Sequence, residues 1–216
     1  MNNKSLFIFD MDGVIVDTEP LYMKMNKGFL LQHKAFVSDD EYNQFIGISA
    51  TTMWNYLREK YHLPFTTQEL IATEKQAKYD VLDKSELKPI DGIVDLLDML
   101  KSKNYSIAIA SSSMKKNIEL IISKVNLNKY FDCIVSGEGV QNGKPAPDIF
   151  LKAMNHFNET PGNCIVLEDS KNGVLAANAA NMFCIVFQNK NSGNQDLSTA
   201  NRIVISINEV EDFISS

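Results

Sequence analysis

Residues 7–20 read FIFDMDGVIVDTEP: a run of strand-forming apolar residues ends in Asp10 and Asp12, with Met11 between them. Two carboxylates this close repel one another, and burial at a strand end raises the cost of ionising both. A cation between them removes that objection. It leaves Asp10 ionised as a nucleophile toward phosphorus, with Asp12 two residues on for proton transfer. Gly13 lets the backbone approach phosphoryl oxygens. Alone, Asp-x-Asp-Gly is also an ordinary turn signal. A calcium loop is excluded, because it needs glycine at its sixth position and Gly13 is fourth counting from Asp10.

The companions of this pair stand at other strand ends. Ser111 closes SIAIAS, Lys144 lies in NGKPAPD beyond CIVS, and Glu168 and Asp169 follow CIVL. In an open parallel sheet, ligands bind outside the carboxyl ends of the strands, so these residues are expected to converge. Asp10, Asp12, Glu168 and Asp169 are hard oxygen ligands suited to Mg²⁺. Ser111 can donate a hydrogen bond to a transferring phosphoryl group, and Lys144 adds a charge against its oxygens. Taken singly each has a plainer reading: Lys144 as a surface lysine, Asp169-Ser170 as a helix start, and Ser112 or Ser113 as the cap of the next helix. Joint placement at successive strand ends favours the chemical reading.

The elements that must position them follow from periodicity. LFIF (6–9), SIAIAS (106–111), CIVS (133–136), CIVLED (164–169), CIVF (184–187) and RIVIS (202–206) read as strands. Between them Ile93, Leu96, Leu97 and Leu100, then Ile118, Ile121, Ile122 and Val125, then Phe150, Ala153, Met154 and Phe157 recur at helical spacing. Pro147 suits the first turn of the third helix. Continuous apolar strands alternating with helices indicate an α/β fold: a Rossmann-like parallel sheet covered by helices on both faces. Residues 18–83 lack strands and repeat helix starts, with SDDE (38–41) and TTQE (66–69) fitting the capping box. They are expected to form a helical cap inserted into a core of residues 1–17 and 84–216, hinged near 17 and 84, with Trp54 in the cap's interior. QNKNSGNQDLSTAN (188–201) is a long polar loop.

Of 216 residues, 44% are hydrophobic and the net charge is −6, with no basic run. That fills a core and excludes polymeric nucleic acid and an anionic membrane surface as partners. The apolar run at Leu6–Phe9 is too short for a signal-peptide core and no later run reaches transmembrane length, so the cytoplasm is expected. Cys133, Cys164 and Cys184 are odd in number, lack C-x-x-C spacing, and read as buried strand thiols. His33, His62 and His156 have no partner spacing.

In this order the motifs resemble the haloacid dehalogenase superfamily, in its β-phosphoglucomutase-like branch of phosphatases and phosphomutases: DMDGVIVDTEP, Ser111, Lys144 in GKPAPDIF, and LEDSKNGVLAANAA. The resemblance spans nearly the whole chain. It implies Asp10 as nucleophile and Asp12 as acid and base, with Ser111 and Lys144 on the phosphoryl group. It also implies Mg²⁺ on Asp10, Glu168, Asp169 and the main-chain carbonyl of Asp12, beneath a cap that closes over the substrate. Tyr22 stands where β-phosphoglucomutases have a histidine, and Ala50 where they have an arginine for a distal phosphate, a bidentate grip alanine cannot replace. Tyr22, Gly47, Ser49 and Lys75 are the cap's candidates for facing substrate. The expectation is a monomeric Mg²⁺-dependent phosphatase acting on a small phosphorylated metabolite, a sugar or polyol phosphate, through an aspartyl-phosphate. A phosphomutase and a non-catalytic binding protein on the same fold are the alternatives.

Overall fold

The computed structural model describes residues 5–215. Among them, β1 (Leu6–Phe9), β2 (Ser106–Ser111), β3 (Cys133–Ser136), β4 (Cys164–Glu168), β5 (Phe183–Phe187) and β6 (Arg202–Val204) form one sheet in the order β3-β2-β1-β4-β5-β6. Every pairing is parallel. β1 is central, paired with β2 on one side and β4 on the other, which makes its carboxyl end the point where the strand order reverses. The register sets Phe9 opposite Ile109 and Leu167, so Asp10 and Glu168 emerge at one level, with Ser111 one residue further along β2.

The apolar runs lack alternation because both faces are covered. Phe7, Phe9, Ile107, Ile109, Ile165 and Leu167 enter one core cluster with α5 (Ile93–Ser102), α6 (Lys115–Lys124) and α9 (Asn208–Ser215). Leu6, Ile8, Ala108, Ala110, Val166 and Val186 enter the other, with α7 (Asp148–His156) and α8 (Lys171–Ala179). Neighbouring residues thus face opposite sides. Each fully buried Leu, Ile or Val contributes about 1.5–3 kcal/mol relative to exposure.

Between β1 and α5 run α1 (Glu19–Gln32), α2 (Asp39–Asn43), α3 (Ala50–Tyr61) and α4 (Thr67–Lys84). A third cluster, which includes Leu30, Tyr42, Met53, Trp54, Leu57 and Leu70, is drawn from this stretch alone. Trp54 is 1% exposed and donates its indole N–H to Glu74 Oε2 at 2.7 Å, so it is interior. The two connections to the sheet lie side by side: Val16 bridges Pro89, and Ile90 N–H donates to Ile15 O at 2.8 Å. Among the described residues no helix is long and apolar enough to cross a membrane.

Several local expectations change. Thr66 and Glu69 form the capping box, but Glu41 does not close one with Ser38, because its oxygens accept from Lys60 and Tyr61. β4 stops at Glu168, since Asp169 N–H turns to the Glu168 side chain, and β6 ends at Val204. Pro147 precedes α7 rather than entering it, its carbonyl accepting from Leu151 N–H at 3.0 Å. Cys164 and Cys184 are buried, whereas Cys133 on the edge strand is half-buried.

Candidate active site

The turn after β1 is built for close approach. Asp10 N–H continues the ladder to Leu167 O at 2.9 Å, and Gly13 then takes a positive φ of 82°. A Cβ there would lie 2.0 Å from Asp169 Oδ2, so only glycine fits between the two strand ends.

Lys144 is the counter-charge at the centre. Its side chain is 6% exposed, and Nζ donates to Asp10 Oδ1 at 2.5 Å, Glu168 Oε1 at 2.6 Å and Ala110 O at 3.1 Å, which uses all three protons. Burial alone would lower its pKa, but the Asp10 and Glu168 carboxylates outweigh that and hold it raised. Burial raises Asp10 to about 7, with Glu168 and Asp12 adding to the rise and Lys144 opposing it. Asp169 is raised by burial, Glu168 and Asp10 together. Glu168 is lowered: burial pushes it up, but Lys144 and the N–H groups of Ser170 and Asp169 win.

Glu168 is fully committed. Its Oε2 accepts from Asp169 N–H at 2.9 Å, Ser170 N–H at 3.0 Å and Ser170 Oγ at 2.9 Å, and Ser170 in turn caps α8. Glu168 is therefore spent on Lys144 and the start of α8, where the resemblance implies a metal ligand. Asp10 Oδ2 and Asp169 Oδ1 have no hydrogen bond among the described residues. Two open carboxylate oxygens suit Mg²⁺, which takes one or two carboxylates and fills its octahedron with waters and phosphate oxygens. Among the described residues no three His, Cys, Asp or Glu form a group that could hold a metal by themselves. The fit is to a hard cation that shares its ligands with substrate.

Gly173 shows how tightly Glu168 is packed, because a Cβ there would lie 1.8 Å from its carboxyl. Gly173→Ala is expected to cost about 1–3 kcal/mol by denaturant unfolding. Gly28, in α1 with open space around it, is the control, and Gly28→Ala should instead stabilise by about 0.5–1 kcal/mol.

Asp12 sits among hydroxyls. Oδ1 accepts from Thr18 Oγ1 at 2.5 Å and lies 3.4 Å from Tyr22 OH; Oδ2 accepts from Ser113 Oγ at 2.6 Å and lies 3.4 Å from Ser111 Oγ. Neither Ser112 nor Ser113 caps α6: its N-cap residue is Met114, which has no side-chain cap to offer, and Lys115 N–H goes to Glu138 Oε2 at 2.9 Å.

A cavity of about 170 Å³ is walled by Asp10, Asp12, Ser111, Lys144, Glu168 and Asp169, with Gly47 contributed by the helical stretch. Tyr22 reaches Asp12 from α1, whereas Ser49 caps α3 and Lys75 is exposed, and neither lines the cavity. Lys78, one turn beyond Glu74, pairs with Glu74 at 3.1 Å and lies 4.5 Å from the centroid of the Tyr22 ring, whose hydroxyl reaches Asp12. Glu19 also lines the cavity, its carboxyl raised to about 7 by burial against the pull of Lys78.

The polar loop after β5 is part of this site. Asn189 donates to Gly13 O at 2.9 Å, Ser192 Oγ donates to Asp169 Oδ2, and Asn191 donates to Asp17. Gln195 accepts from Lys171 N–H at 2.9 Å beside Gly47. Nothing in the sequence but the loop's amide-rich composition signals these contacts.

Strand order, register and an acidic pocket with one buried lysine define a doubly wound α/β protein with a strand-end site. The chain belongs to the haloacid dehalogenase-like hydrolases, whose family model matches residues 7–187. It is a phosphoric monoester hydrolase of that family. It is 32% identical to a phosphorylated carbohydrates phosphatase of Thermotoga maritima over 80% of each chain. It is 31% identical to a Drosophila melanogaster protein named "Probable pseudouridine-5'-phosphatase", over 93% of this chain and 88% of that one. Among solved structures it resembles a β-phosphoglucomutase of Clostridium difficile, with a TM-score of 0.78 and 27% identity over 99% of this chain and 96% of the other.

Proposed function

We propose that this phosphatase hydrolyses a small phosphomonoester, a sugar or polyol phosphate, through a phosphoaspartate on Asp10, in a Mg²⁺-dependent reaction. The observation that carries the reading is the asymmetry of Asp10, which lines the cavity: Oδ1 is fixed by Lys144 while Oδ2 accepts no hydrogen bond from a described residue. Asp10 attacks phosphorus as the bond to the leaving oxygen breaks, and Asp12 gives that oxygen its proton. Asp12, now deprotonated, takes a proton from water as that water attacks the phosphoaspartate, and inorganic phosphate leaves. Ser111 lines the cavity where the phosphoryl oxygens would sit, and Lys144, with its protons on Asp10, Glu168 and Ala110, contributes its positive charge as negative charge redistributes. Mg²⁺, held by Asp10, Asp169 and the Asp12 carbonyl, would neutralise phosphoryl charge. Residues 18–83 act as the cap, and the protein works in the cytoplasm as a monomer. The carbohydrate-phosphate relative supports the substrate class.

The test is phosphate release from sugar phosphates, polyol phosphates, nucleotides and an aryl phosphate, with and without Mg²⁺. Metal-dependent release from a carbohydrate phosphate is expected. Interconversion of β-glucose 1-phosphate and glucose 6-phosphate outpacing release would make the protein a mutase instead.

The buried carboxylates give the metal a stability signature. Asp10 goes from 3.8 to about 7 on folding, so across that window the folded state binds more protons than the unfolded one. Without metal, stability therefore falls as pH rises between these values. Asp169 acts in the same direction and Glu168 in the opposite one. Added Mg²⁺ should raise the melting temperature more at about pH 8 than at about pH 5, by roughly 2–4 °C per kcal/mol of binding.

A further inference from the structure

The cavity over Asp10, at about 170 Å³, is well below the ~300–1,000 Å³ that whole small-molecule ligands fill. We infer that the remainder of the substrate occupies the neighbouring cleft where α1, α2 and the loop 188–194 meet, and that this cleft selects an uncharged, polyhydroxylated leaving group. The inference rests on the phosphatase reading above.

The cleft encloses about 1090 Å³ and shares Glu19 and Ile46 with the walls of the smaller cavity. Its chemistry is that of amides. Asn43, Gln44, Gln188 and Asn194 line it, and none of these side chains hydrogen-bonds another described residue. Asn189 and Asn191, by contrast, are spent on Gly13 and Asp17. Each unspent amide offers both donors and an acceptor, which is what neighbouring hydroxyl groups require.

Charge argues against a second phosphate. Lys24, Lys27 and Lys190 are balanced by Glu19, Asp39 and Asp40, and Lys27 is already paired with Asp39. A dianionic group would find no net positive field there. A nucleobase would find nothing to stack on, since the walls hold no aromatic ring.

The experiment compares wild type with the double variant Asn43→Ala/Asn194→Ala on a hexitol monophosphate and on an aryl phosphate. Both positions are exposed, so the fold should be unaffected. Expected is a fall of about tenfold in kcat/KM for the hexitol phosphate, carried by KM, with the aryl phosphate unchanged. Equal losses on both substrates, no loss on either, or a wild-type preference for a sugar bisphosphate or a nucleotide would overturn the inference. A binding readout separates it from the catalytic reading: hexitol phosphate titrated onto Asp10→Asn should bind about tenfold more weakly once the two amides are removed. If wild type hydrolyses nothing yet that difference appears, the mechanism fails and the cleft stands; if turnover is normal and the difference is absent, the cleft fails.

Discussion

Asp10→Asn is expected to abolish turnover, lowering kcat by roughly 10⁴-fold or more, while leaving the fold intact. The amide keeps the size of the side chain and, through Oδ1, the acceptor for Lys144, so the contact that locks the position survives. What disappears is the nucleophilic oxygen and a charge that burial, Glu168 and Asp12 all make costly. Removing that charge therefore relieves repulsion as well as losing attraction, and the melting temperature should hardly move. Asp12→Ala should also lose most turnover, and any covalent phosphate trapped in it by acid quench should sit on Asp10. Substantial phosphate release by Asp10→Asn, with a native circular dichroism spectrum, would refute the covalent route.

The strands and the order of the motifs were legible because their causes are local. A strand buried on both faces must be apolar throughout, and the first polar residue after it marks its carboxyl end. Asp10, Ser111 and Glu168 all announce themselves in that way, and the register brings them within one residue of a common level. The chain's spacing could not show how each carboxylate is spent. Glu168 and Asp169 are adjacent in sequence, yet one is saturated by Lys144 and the start of α8 while the other keeps an oxygen open. That division depends on which groups tertiary packing brings within hydrogen-bond reach.

The contacts of longest range were the least legible. Loop 188–201 carries no periodicity, and its hold on Gly13 and Asp169 spans 176 and 23 residues respectively. The lysine that meets Tyr22 is a case of helical phase: Lys75 and Lys78 lie almost a turn apart on α4, and only the packing of α1 on α4 decides that Lys78 is the one in contact. Ser113 was misread for a related reason. Serine ahead of a helix ordinarily caps it, but α6 starts one residue too late for Ser113: Met114 is the N-cap, the Ser113 hydroxyl donates to Asp12, and Glu138 takes over at the helix start.

Lys144→Met is expected to cost both activity and stability, the latter by about 3–5 kcal/mol. Lys144 is the sole cation in contact with Asp10 and Glu168 among the described residues, and at 6% exposure solvent cannot replace it. Without it two buried carboxylates face one another, and Glu168, now held low by the ammonium, must rise. The sign of the pH dependence follows. At about pH 5 much of the excess charge can be neutralised by protonation, so the deficit against wild type should be small, and it should grow toward about pH 8. Neutralising the partner tests the cause: Glu168→Gln placed in the Lys144→Met background should recover part of the lost stability, since one of the two unpaired charges is gone. Activity should stay lost, because the positive charge beside the phosphoryl oxygens is gone. Denaturant unfolding in chelator at the two pH values measures all of this. A Lys144→Met deficit independent of pH, or a double variant as unstable as the sum of the singles, would show that the lysine acts by packing against Phe150, whose ring centroid lies 4.9 Å from Nζ, and not as the counter-charge of the site.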